Sequence, residues 1–568
     1  MFSLHNHPFT LWIWGVLLLP VLVAGKPARA ETPVIPGSAE IAGYIRLHDP
    51  RGLSESISHA LAWAGVSRSR FQIMALLGAP SGDPNFGMVE RDEVLTRVWI
   101  QDASGSATPP DRKMSLMTVL PAIRDQELLT RCAAAAEMKS ATVGGLSFIG
   151  PPDVIQRVNG WLPDLKAIQN AEQRCDVVAF FRESMWGDAT GRLPRQGQGA
   201  RLSDAVGALA RLGGIAESEI TSRTEQMPPC PSFPFRMACQ ALKDVKAVHL
   251  RLDINEFPLR LAVNLDAKSG TPLERFCKQS PGAANHFSRF LPPDGTIRAS
   301  LSLEPSTLRA LAVDLAKRAA AEAAIAPAQA PPAGGQADRT VQWIERRLFF
   351  LDRAAVCLRG TERGKIDSFV AVLKPENPDT ALQIVKELLE ESPGGSQQAA
   401  TPVASREVEV AAKNAEYEGF PIDQFFAKAP RPRGGPSVPT GPSPMGRFTH
   451  NAVLSACFAG SDLVLASRYQ DLVDTMGRVL QMNALDQPLA AQSAFLDGAH
   501  LYADVRSAEA ALRPWSESSA LSVAGRVADG GDAGCFGVQL AVSIPAEAIR
   551  DFFPPKARPP LPSGRPQP

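Results

Sequence analysis

The sequence has no surplus of charge of either sign: 59 Lys and Arg stand against 59 Asp and Glu in 568 residues. That balance leaves no electrostatic footprint for nucleic acid or for an anionic membrane surface. Aromatic residues are few. There are 4 tyrosines, and the tryptophans beyond the N-terminus (Trp63, Trp99, Trp161, Trp186, Trp343 and Trp515) are spread singly, so no series of rings offers a stacking platform for sugars or bases. Trp63, Trp161 and Trp515 fall at apolar positions of helical segments, where packing is their expected role.

Catalytic and metal signatures are missing as well. No G-x-S-x-G elbow occurs, because GLSFIG at 145 and GPSPMG at 441 have the wrong spacing. Neither S-x-x-K, H-E-x-x-H nor a clustered C-x-x-C is present, and His48, His59, His249, His286, His450 and His500 are dispersed. No metal and no cofactor is therefore expected. The stretch GQGARLSDAVG at 197–207 lacks the full glycine spacing of a phosphate loop and reads as a lead-in to a helix.

Long apolar runs are confined to the start. Phe9–Gly25 (FTLWIWGVLLLPVLVAG) is followed by Lys26 and by Ala28 and Ala30 in A-x-A spacing, which reads as an export signal over residues 1–30. Its first residues carry His5 and His7 but no Lys or Arg, so an uncleaved N-terminal anchor is the alternative. No later stretch reaches the roughly 18 consecutive apolar residues of a membrane-spanning helix. The expected location is periplasmic or extracellular.

Export permits disulfides, yet Cys132, Cys175, Cys230, Cys239, Cys277, Cys357, Cys457 and Cys535 are scattered rather than arranged as a framework. Cys357, Cys457 and Cys535 sit in apolar strand-like runs and read as small buried hydrophobes. Cys230 and Cys239 bracket the loop CPSFPFRMAC and are the pair that spacing favours for a local bridge. Overall connectivity is not fixed by spacing.

What the sequence does contain is a recurring figure. NAVLSACFAGSDLVLASRYQDLVDTMGRVL at 451–480 reads as two apolar runs, a turn at Gly460-Ser461-Asp462, and a helix with Leu472, Val473, Met476, Val479 and Leu480 on one side. Residues 354–390 repeat it with Ala381, Leu382, Val385, Leu388 and Leu389 at amphipathic-helix spacing. At 247–277, Val248, Leu250, Leu252 and Ile254 alternate, as do Leu259, Leu261, Val263 and Leu265, the mark of strands with one buried face.

Five units recur in the same order. The segments beginning at 39, 114, 145, 175 and 247 answer those beginning at 295, 367, 462, 499 and 521, with Ile41, Gly43, Ile45 and Leu47 matching Ile297, Ala299, Leu301 and Leu303. Order as well as shape argues for tandem duplication. The expected fold is α+β, two duplicated halves at 31–290 and 291–555, each a largely antiparallel sheet with helices packed on one face. The Pro/Gly/Ser-rich segment at about 391–450 is expected to be a disordered insertion, and 556–568 a Pro-rich tail. The basic stretch PRPRGG at 430–435 reads as solvated linker. The pattern resembles secreted bacterial proteins assigned only to domains of unknown function, which implies export and fold and carries over no catalytic residue.

The polar cluster His48, Asp49, Glu55 and His59 in LHDPRGLSESISHAL is the candidate for chemistry, with His48, Asp49 and His59 as the catalytic candidates. Asp49 before Pro50 is also a helix-start signal, and Glu55 with His59 is an ordinary i, i+4 surface spacing. The matching LSLEPSTLRAL has no histidine. The sequence thus leans away from an enzyme and toward an exported cell-envelope module that binds an envelope protein or a ligand, or serves as a scaffold. A hydrolase assembled near His48 and His59, and a carrier of apolar ligands, are the alternatives.

Overall fold

The computed structural model describes residues 34–63, 70–90, 92–101, 114–171, 175–185, 240–254, 258–279, 290–292, 294–303, 307–324, 342, 353–360, 366–390, 408–427, 452–484, 501–506, 520–528 and 537–545. In the first half β1 (Ile41–His48) leads into α1 (Pro50–Trp63) and α2 (Arg70–Gly78). Strands β2 (Val94–Gln101) and β3 (Met114–Pro121) lead into α3 (Gln126–Ala135). The hairpin of β4 (Lys139–Val143) and β5 (Leu146–Gly150) leads into α4 (Pro152–Arg157) and α5 (Leu162–Asn170). Then come β6 (Val177–Arg182), β7 (Val245–Asp253), β8 (Leu259–Ala267) and α6 (Pro272–Gln279).

The second half opens with β9 (Ile297–Ser302), α7 (Thr307–Ala324), β10 (Arg353–Gly360), β11 (Ile366–Lys374) and α8 (Pro378–Glu390). It continues through β12 (Val408–Tyr417), β13 (Phe420–Ala427), β14 (Ala452–Ala459), β15 (Asp462–Ala466) and α9 (Tyr469–Ala484). Strands β16 (Leu501–Val505), β17 (Leu521–Ala528) and β18 (Gly537–Ile544) close it.

The 18 strands of the described residues form one sheet, and each of its pairings among them is antiparallel. From edge to edge the order is β4-β5-β3-β2-β1-β6-β7-β8-β18-β17-β16-β9-β10-β11-β15-β14-β13-β12. The halves meet where β8 pairs with β18, in a ladder from Leu259↔Ile544 to Asp266↔Gly537. The alternation in β7 and β8 sets their register, pairing Val248 with Leu265, Leu250 with Val263 and Leu252 with Leu261. A one-residue slip of either strand would turn its three to the opposite face.

Helices cover both faces of the sheet, which corrects the expectation of helices on one face. Val119 packs with Val154 of α4 and with Leu165 and Ile168 of α5. Its neighbour Leu120 packs instead with Leu53 of α1, Met74 of α2 and Leu129 of α3. Likewise Val372 packs with Leu472, Met476 and Val479 of α9, and Leu373 with Ala381 and Val385 of α8. Adjacent strand residues point to opposite sides, so two apolar neighbours both need cover. LSFIG of β5 and DLVLA of β15 are buried at every residue, the pattern of strands enclosed on both faces. Truncating Phe148, fully buried in this core, to Ala is expected to cost about 3–5 kcal/mol.

The insertion at 391–450 is also corrected in part. Residues 408–427 inside it form the β12–β13 hairpin, whose turn places Glu418 at φ 49° and Gly419 at φ 85°. Positive φ at both central residues matches the right-handed strand twist. Ile422 and Phe425 of this hairpin are buried in the core, and that apolar burial outweighs the flexible composition around it.

Candidate functional site

Among the described residues, His48, Asp49, Glu55 and His59 are not joined by hydrogen bonds into one group. Asp49, at φ 38°, begins α1: its Oδ1 accepts from the Gly52 N–H at 3.0 Å and its carbonyl from Leu53 N–H at 2.8 Å. This is the helix-start role. His48 ends β1, its N–H donating to the Asp176 carbonyl at 2.9 Å, and its Nδ1 is buried without a hydrogen-bond partner among the described residues. His59 lies on the exposed side of α1. Glu55 pairs with Arg70 of α2 rather than with His59. Neither imidazole reaches a carboxylate or hydroxyl among the described residues, so the geometry a general base needs is not formed there. Cys230 and Cys239 lie outside the described residues.

An imidazole that does meet a carboxylate is His249, which sequence reading passed over. Its Nε2 lies 2.9 Å from Asp266 Oδ2, and the Phe180 ring sits 5.1 Å away. It bridges β7 to β8, and no hydroxyl joins it among the described residues. The buried cysteines are poor nucleophiles. Burial pushes the Cys277 and Cys357 thiols up to about 12 and Cys457 up to about 11, away from the thiolate form that reacts. Cys357 and Cys457 sit within the core under α9, as their apolar context implies.

Charge inside the sheet is where polar function concentrates. Arg298 of β9 faces its register partner Asp504 of β16. Arg298 Nε donates to Oδ1 at 3.2 Å and Oδ2 at 2.9 Å, and Nη2 donates to Oδ2 at 2.5 Å. Asp504 is 0% exposed and Arg298 6%. Though burial opposes its charge, the carboxylate holds the Arg298 guanidinium above the ordinary arginine value. Beside it Arg506 Nη2 donates to the Gly295 carbonyl at 2.9 Å, and Arg359 bridges Asp294 and Asp471. These groups fasten β9, β10, β16 and α9 together.

Arg97 is built differently. It lies in the middle of β2, VLTRVWIQ, where Leu95, Arg97 and Trp99 share one face while Thr96, Val98 and Ile100 share the other. Its register partners are Ile45 of β1 and Thr118 of β3, and beyond Thr118 comes Ile149 of β5. Arg97 is 6% exposed and Thr118 1%. Arg97 Nε and Nη2 and the Thr118 hydroxyl are buried with no hydrogen-bond partner among the described residues. Desolvation alone lowers the guanidinium to about 10, which leaves it charged at neutral pH. On the face of the sheet that α8 covers, the buried positions in one core cluster are apolar: Ala354, Val356 and Leu358 in β10, Ala371 and Leu373 in β11, Leu463 and Leu465 in β15.

The signal for Arg97 was present in the sequence as one basic residue in a strand apolar on both faces. Such a position demands a counter-charge, and no motif search finds it. Among the described residues no group of three or more His, Cys, Asp and Glu side chains is placed to hold a metal ion, and no helix is long and apolar enough to cross a membrane. No family model matches the chain, and no match to it was found among curated proteins or solved structures.

Proposed function

We propose that the chain is an exported, non-enzymatic binding or scaffold module of the cell envelope, made from two tandem copies of one α+β unit. Strand order supports the duplication. Outward from the β8–β18 seam it runs β8-β7-β6-β1-β2-β3-β5-β4 on one side and β18-β17-β16-β9-β10-β11-β15-β14 on the other. Helices follow matching strands: α1 after β1 and α7 after β9, α3 after β3 and α8 after β11, α5 after β5 and α9 after β15. The β12–β13 hairpin is an addition at the outer edge of the second copy.

The observation that carries binding rather than catalysis is Arg97, a buried guanidinium whose donors are unfilled, in a sheet where Arg298 has its carboxylate. A buried polar group left unsatisfied costs stability, and function is the usual reason such a group persists. The N-terminal pattern Phe9–Ala30 supports export.

Cell fractionation with mass measurement of the chain's N-terminus, followed by native mass spectrometry of the envelope-purified protein, tests this reading. The expected result is a chain beginning at Glu31 in the envelope fraction, carrying a retained small molecule or a defined envelope partner. A cytoplasmic chain with residues 1–30 intact and nothing bound overturns it.

A further inference from the structure

Guanidinium Nε and Nη2 form the side-on edge of an arginine, two roughly parallel N–H donors spaced to match the two oxygens of a carboxylate. Arg298 uses that edge on Asp504. Arg97 holds the same edge in the same sheet, equally buried, with nothing on it among the described residues. Its cross-strand partner Thr118 offers a third unfilled group, a hydroxyl able to donate.

We propose that Arg97 and Thr118 form the head-group site for a small ligand bearing a single carboxylate, held by Nε and Nη2 of Arg97 and by the Thr118 hydroxyl. This deepens the reading of the chain as a binding module and rests on it. Charge count selects a monoanion. One guanidinium flanked by Ile45, Leu95 and Trp99 neutralises one negative charge, whereas a phosphate dianion would bring a second charge and further oxygens into apolar surroundings without partners. Burial selects size, since donors enclosed in a residue only 6% exposed leave no room for a protein surface and would admit the end of a small molecule alone. The apolar neighbours suit an acid whose remaining part is hydrocarbon.

The second half lacks the site. The face that α8 covers carries Ala354, Val356, Ala371 and Leu373, all buried against apolar neighbours. One ligand per chain is therefore expected.

The test titrates the full chain with carboxyl-13C-labelled octanoate, benzoate and acetate, using octanol as the neutral twin of octanoate and inorganic phosphate as the competing anion. Expected are a bound carboxyl resonance at one equivalent for octanoate or benzoate, no stabilisation by octanol, and no displacement by phosphate at equal concentration. Arg97→Lys keeps the charge but loses the fork, and is expected to weaken binding about tenfold. Arg97→Met abolishes it. Thr118→Asp, which fills the fork from within the sheet, abolishes it while retaining the guanidinium.

The assignment falls if none of the three acids binds the wild-type chain, if Arg97→Met and Thr118→Asp bind them as wild type does, or if phosphate competes on equal terms. Should native mass spectrometry find a retained molecule that Arg97→Met leaves in place, the binding-module reading stands and the Arg97 assignment is lost.

Discussion

Two arginines, each 6% exposed in the same antiparallel sheet, meet opposite electrostatic fates. Arg298 faces Asp504 across β9 and β16, and the pair satisfies both partners with side-on hydrogen bonds. Arg97 faces Ile45 on one side and Thr118 on the other, and burial acts on it uncompensated. A buried ion pair offsets its own desolvation through mutual attraction; a lone buried charge does not. The first arginine is therefore a fastening of the fold, and the second is a group the fold holds in readiness for something else.

Removing the carboxylate from the satisfied pair breaks the comparison most severely. Asp504→Ala removes the carboxylate that Arg298 faces across β9 and β16 and leaves the guanidinium buried. A loss of about 3–5 kcal/mol is expected, read from the urea midpoint at constant m-value. A loss below about 1 kcal/mol would mean that Arg298 is solvated in the fold and the contrast is false.

Arg97→Met should move in the opposite direction. Replacing an uncompensated buried charge by an apolar side chain of similar length is expected to raise stability of the ligand-free protein, by on the order of 2 kcal/mol. A clear decrease would show that Arg97 is a structural donor like Arg298.

Alkali sharpens the comparison with groups that avoid charge altogether. Cys277 and Cys357 keep their protons up to about 12 in the fold, against an ordinary value near 9. Between those values the unfolded thiol has lost a proton that the folded one retains, so unfolding releases it and stability declines as pH rises. The contribution is intact below about pH 9 and the loss reaches on the order of 1 kcal/mol per thiol by pH 10. Cys357→Ala should flatten the fall in melting temperature between pH 8 and 10, once its own neutral-pH cost is subtracted. An equally steep fall in the variant would assign the effect to other groups.

The smallest effect belongs to the exposed imidazole. His59→Ala on the outer side of α1 is expected to change stability by less than about 0.5 kcal/mol and to leave carboxylate binding unaltered. A marked loss of either would restore the first-half histidines as functional residues.

Much of the element plan was legible because it depends on periodicity. Alternation of Val248, Leu250, Leu252 against Leu259, Leu261, Val263 and Leu265 prefigures the β7–β8 register. The spacing of Ala381 and Val385, and of Leu472, Met476 and Val479, marks the faces that α8 and α9 bury. Two-sided cover was harder to read. Runs such as LSFIG and LVLA are apolar at consecutive positions, and attention to alternation alone assigns them a single face. The candidate site was read less well. His48 and Asp49 stand out because imidazole and carboxylate adjoin in sequence, yet Asp49 serves the start of α1 and neither His48 nor His59 hydrogen-bonds an acid among the described residues. Arg97 has no polar neighbour along its strand except Thr96 and Gln101, and its partner Thr118 comes from β3.

The sequence by itself determined most of the strands and helices and the apolar faces of α8 and α9, because those follow from the local spacing of apolar residues. Only the tertiary structure decided that β8 joins β18 to make one sheet of the 18 described strands, and that the residue opposite Arg97 on β3 is Thr118 rather than an acid. The reason is physical: strands pair through backbone groups that every residue carries, so the choice of neighbour across a sheet, and with it the partner of a buried charge, is written in the assembled geometry and not in any one strand.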